Sequence, residues 1–76
     1  MSHFPVTTGK RLVKLLCANF GFTEVRQSGS HVVLKNFERN ISVTVPVHGK
    51  RDLPIGTLRS ILRDAKVDED EFRQYV

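Results

Sequence analysis

The sequence predicts an α+β domain in the order α-β-β-β-α, with a three-stranded antiparallel sheet and a short C-terminal helix. Three observations carry that prediction. Leu12, Leu15, Leu16 and Phe20 recur at i, i+3, i+4 and i+8, one apolar stripe of helical period. Three short strand-like runs follow, joined by turns so brief that antiparallel pairing is the natural topology. Leu58, Ile61, Leu62 and Ala65 then restore the helical spacing. With 76 residues the chain is read as a single domain, residues 1–76, built on one thin core.

The first helix is expected from about Thr8 to Gly21. Thr7 or Thr8 can cap its start, and Gly21 suits the left-handed position past its end. Lys10, Arg11 and Lys14 crowd its first half, where cations oppose the helix dipole by a few tenths of a kcal/mol each, on the order of 0.3. A solvated face accounts for them, and a phosphate-facing role fits as well. Cys17 is the single cysteine and cannot pair within the chain, so it reads as a small core side chain in a reducing compartment.

Phe22 to Gln27 alternates and is broken by Ser28-Gly29-Ser30; His31 to Asn36 is a second, Val-rich run. After the polar turn Phe37-Glu38-Arg39-Asn40, Ile41 to Val45 alternates cleanly and Pro46 stops it. Period 2 then sends Val25, Val32, Leu34, Ile41, Val43 and Val45 to the core. Arg26, His31, Val33, Lys35, Ser42 and Thr44 share or border the other face. Val47 to Leu53 reads as a loop, Pro54 as part of the first turn of a second helix, and Asp68 followed by Glu71 as the start of a short last one.

Charge is uneven along the chain. Residues 1–63 hold ten Lys/Arg against three Asp/Glu, and residues 64–76 hold two against five. A basic body with an acidic end suits a phosphate-binding surface, though a merely solvated face has the same composition. The N-terminus lacks the pattern of a secretory signal and no stretch reaches transmembrane length, so a cytoplasmic location is expected.

The three histidines are the natural candidates for proton transfer near neutrality. His3 sits in the N-terminal segment with no partner to name. His31 follows the Ser-Gly-Ser turn and opens a strand on the polar face, where it either ends a turn or acts as a general acid or base. In the second role Arg26, Lys35 and Ser30 stand ready to hold a phosphate. His48 lies in Pro46-Val47-His48-Gly49-Lys50-Arg51. It is read first as a loop histidine bonded to backbone and second as an accessory to the site, beside the phosphate contacts Lys50 and Arg51. Cysteine and histidine do not cluster at zinc spacing and no glycine-rich nucleotide loop occurs, so neither a metal nor a cofactor is expected.

Taken together, three ordered motifs closely resemble the HicA toxin family of bacterial toxin–antitoxin systems. They are Arg26-Gln27-Ser28-Gly29-Ser30-His31, Val43-Thr44-Val45-Pro46-Val47-His48 and Gly56-Thr57-Leu58-Arg59-Ser60-Ile61-Leu62. Gly9-Lys10-Arg11-Leu12-Val13-Lys14 and Asp70-Glu71-Phe72 fit the same pattern, so the likeness runs from about Phe4 to Tyr75. The resemblance implies a fold like that of double-stranded-RNA-binding domains. It also implies endoribonuclease (mRNA interferase) activity on mRNA and a HicB-like antitoxin that covers the active surface. The family's catalytic histidine lies in its Gly-Ser-His motif, which maps onto His31. Arg59 joins Arg26, Ser30, Lys35, Lys50 and Arg51 as an expected RNA contact. The turn Phe37–Asn40 departs from the compact Pro-Asp-Gly type often seen in relatives. A non-catalytic double-stranded-RNA-binding module is the alternative reading. A DNA-binding helix-turn-helix over residues 53–75 is opposed by the acidic run from Asp68 to Glu71.

Overall fold

The computed structural model describes residues 5–76, and His3 lies outside the described residues. Its elements are α1 (Gly9–Asn19), β1 (Thr23–Ser28), β2 (His31–Asn36), β3 (Ile41–Pro46), α2 (Ile55–Ala65) and α3 (Glu69–Arg73). The three strands form one antiparallel sheet in the order β1-β2-β3. The predicted α+β order is therefore the observed one.

One face of the sheet buries Val32, Leu34, Val43 and Val45 against Leu12 and Leu16 of α1 and Leu58, Ile61, Leu62 and Ala65 of α2. Phe72 of α3 completes that core and is fully buried. Both long helices thus lie on one side, and the opposite face of the sheet is left open. No helix among the described residues is long and apolar enough to cross a membrane.

Local chemistry explains several of these boundaries. The Thr8 hydroxyl accepts from the Arg11 N–H at 3.1 Å and caps α1. Gly21, at φ 78, turns the chain past the helix end, and the Phe22 N–H donates back to the Leu16 carbonyl. Gly29 alone takes a positive φ in the two-residue β1–β2 turn, the pattern of a type II′ hairpin. In the β2–β3 turn, where no glycine is present, Asn40 adopts φ 56. The buried Asn36 amide holds that turn: its Oδ1 accepts from the Arg39 N–H at 3.0 Å, while its Nδ2 donates to the Phe20 carbonyl at 3.2 Å. Pro54 stands just ahead of α2 rather than within its first turn. Asp68 caps α3 by accepting from the Glu71 N–H, as its spacing predicts.

One core assignment is corrected. Val25 is 46% exposed, because β1 carries a bulge between Glu24 and Arg26. Glu24 pairs with Leu34 and Arg26 with Val33, so Val25 is the extra residue and strict alternation fails across it. The strand also begins at Thr23 rather than Phe22, whose ring drops into the core before pairing starts.

Candidate active site

Strand register builds the open face in three cross-strand rows. Ser28, His31 and Pro46 form the row at one end; Arg26, Val33 and Thr44 form the next; Thr23, Lys35 and Ser42 form the third. His31 and Arg26 are exposed, and Val33 and Lys35 are half-buried. His31 therefore stands at the edge of a polar, cationic surface, one row from Arg26. Lys35 is four residues along β2 from His31, about 13 Å at the usual rise per residue, and its Nζ sits 5.5 Å from the centroid of the Phe37 ring. Lys35 thus stands apart from His31 on the same face.

The second histidine comes to this row from the loop. The Val47 N–H donates to the Ser30 carbonyl at 2.6 Å, which carries the β2–β3 pairing one step past Pro46. On the helix side, Gly9 packs so closely against Pro46 that a Cβ there would collide with its carbonyl oxygen. Further on, the Arg51 N–H donates to the His48 carbonyl, and the Leu53 N–H donates to the Thr7 carbonyl at 2.8 Å. The loop is thus anchored on both sides of His48. That places the His48 ring with its centroid 6.5 Å from that of His31, edge-to-face at 81°.

Two of the remaining cations line clefts. Lys50 lines one of about 550 Å³ together with Lys10, Glu24 and Gln27, floored by Val32 and Val47. Arg51 lines a smaller one with His48, Asp52 and Thr57. Ser30 contributes its carbonyl to the loop anchor. Arg59 belongs to the helix layer, and its guanidinium is directed to α3 rather than to the sheet. Its Nε and Nη2 donate to the two carboxylate oxygens of Glu69 at 3.1 and 3.2 Å, and that carboxylate favours the charged guanidinium still further. Cys17 is half-buried against the core. Burial first, and the Glu24 carboxylate second, push its thiol pKa up, which opposes a nucleophilic role. Among the described residues no group of three His, Cys, Asp or Glu side chains could hold a metal ion.

The His31–His48 juxtaposition was the less favoured sequence reading, yet its signal was present. A four-residue turn from Phe37 to Asn40 puts His31 opposite Pro46, and His48 is two residues further on. The packing role of Gly9 had no local signal, since it is a close approach between segments distant in sequence. Residues 9–67, more than half of the chain, match the family described as the HicA toxin of bacterial toxin–antitoxin systems. No curated protein matches the chain.

Proposed function

Since the chain belongs to the HicA toxin family, and so is the toxin side of a bacterial toxin–antitoxin pair, we propose that it is an endoribonuclease acting on mRNA. In this reading His31 is the general acid or base. Residues 1–76 act as one domain in the cytoplasm, needing neither metal nor cofactor. The observation that carries the reading is the open sheet face, where an exposed His31 borders the row of Arg26. RNA phosphates would contact Arg26, Lys35, Lys50 and Arg51, with Ser30 at the hairpin turn. Arg59, tied to Glu69, would contribute least. Contacts of this kind position a strand without reading its bases, so low sequence selectivity is expected. The antitoxin partner, of HicB type, would act by covering this face.

His31→Gln tests the proposal. A placed histidine contributes about 10² to 10⁴ in rate, so the purified variant should lose cleavage by that factor and no longer arrest growth, while still binding RNA. Cleavage at the wild-type rate would remove His31 from the mechanism. Salt-sensitive binding of RNA that stays intact, with wild type and variant alike, would instead favour a non-catalytic RNA-binding module.

A further inference from the structure

We infer that His48 is a second catalytic residue, forming with His31 an acid–base pair across a single RNA phosphodiester. This rests on the endoribonuclease reading and adds to it the route of cleavage and the product ends. With ring centroids 6.5 Å apart, the two imidazoles stand too far apart to hydrogen-bond to each other. They are close enough for both to reach oxygens on one phosphorus through bonds of about 2.8 Å. Both side chains are exposed, as a polymer substrate requires. Neither is left to chance: strand pairing fixes His31, and the anchors at Ser30, Gly9 and Thr7 fix the loop of His48. Arg26, one row away, supplies positive charge for a developing phosphorane.

The step needs no co-reactant. A neutral imidazole takes the proton of the ribose 2′-hydroxyl as the 2′-oxygen bonds to phosphorus. The bond from phosphorus to the 5′-oxygen breaks, and that oxygen takes a proton from the other ring, present as imidazolium. The products are a 2′,3′-cyclic phosphate and a 5′-hydroxyl, and the pair is left with its protonation exchanged.

The test compares wild type, His31→Gln and His48→Gln on two RNAs of one sequence. One is natural; the other has sulfur in place of the bridging 5′-oxygen at the mapped cleavage position. A thiolate leaves without protonation, so the substrate relieves only the variant that lacks the acid. On natural RNA each variant is expected to fall about 10² to 10⁴ below wild type. On the sulfur substrate one of the two, and not the other, should return to within about tenfold of wild type. His48→Phe keeps an aromatic edge against His31 and should behave as His48→Gln does, which separates lost proton transfer from lost packing. Cleavage by His48→Gln near the wild-type rate would overturn the pair while leaving His31 in place. So would rescue of both variants, rescue of neither, or products bearing a 3′-phosphate and no cyclic intermediate. A wild-type chain that cleaves neither RNA would overturn the endoribonuclease reading, and the pair with it.

Discussion

At Gly9 a hydrogen is the largest side chain that fits, because a Cβ would run into the Pro46 carbonyl oxygen. That contact is backbone against backbone, so it cannot be relieved by a rotamer change. It also lies two residues before His48, on the segment that brings the second imidazole to the first. Gly9→Ala should therefore act on stability and geometry together. Overpacking of this kind costs roughly 1–3 kcal/mol, to be read as a lower midpoint in urea at unchanged slope. The surviving folded fraction should cleave more slowly than wild type, since moving Pro46 moves His48. Gly29→Ala is the control at the same scale: it strains a φ of 58 but meets no atom within 4 Å, so it should shift stability without that close contact. Equal specific activity in folded Gly9→Ala and wild type would mean that His48 tolerates the displacement.

At the scale of elements, α3 has only five residues, too short to be stable by itself. It is held by Phe72, fully buried, and by the Asp68 cap. Phe72→Ala should cost about 3–5 kcal/mol, a large share of the roughly 5–15 kcal/mol that domains possess. Chemical denaturation should show either a strongly lowered midpoint or an unfolded chain at 25 °C. The elements that sequence made legible are those whose period runs uninterrupted: the stripes of α1 and α2, the alternation of β2 and β3, and the Asp68–Glu71 start of α3. β1 was legible as a strand but not in its faces, because a bulge changes side-chain parity without any change in composition. The same division holds for the site. The face of His31 followed from alternation within β2, whereas the position of His48 depended on three anchors outside its own segment, two of them to residues before or at the start of α1.

For the whole molecule the question is which of the cations would contribute to the proposed RNA-binding surface. The excess of Lys and Arg over residues 1–63 is not spread evenly, since the acidic tail draws part of it back. Glu69 takes the guanidinium of Arg59 with two hydrogen bonds, and the Asp64 carboxylate lies 3.6 Å from that of Arg63. A phosphate approaching Arg59 meets the Glu69 carboxylate as well, whereas Arg26 lies in the open-face row next to that of His31. Counterion release gives a direct measure of this difference. For single strands the logarithm of affinity falls with the logarithm of salt by about 0.7 per phosphate neutralised. Measured on a background of His31→Gln, so that the RNA stays intact, Arg26→Ala should reduce that slope by about 0.7, one phosphate contact. Arg59→Ala should leave it unchanged within error. Glu69→Gln should likewise leave it unchanged, because on this reading the strand runs along the open face and not past the Arg59–Glu69 pair. A loss of slope in Arg59→Ala as large as in Arg26→Ala would place the RNA along the helix layer, and the open face would then cease to be its track.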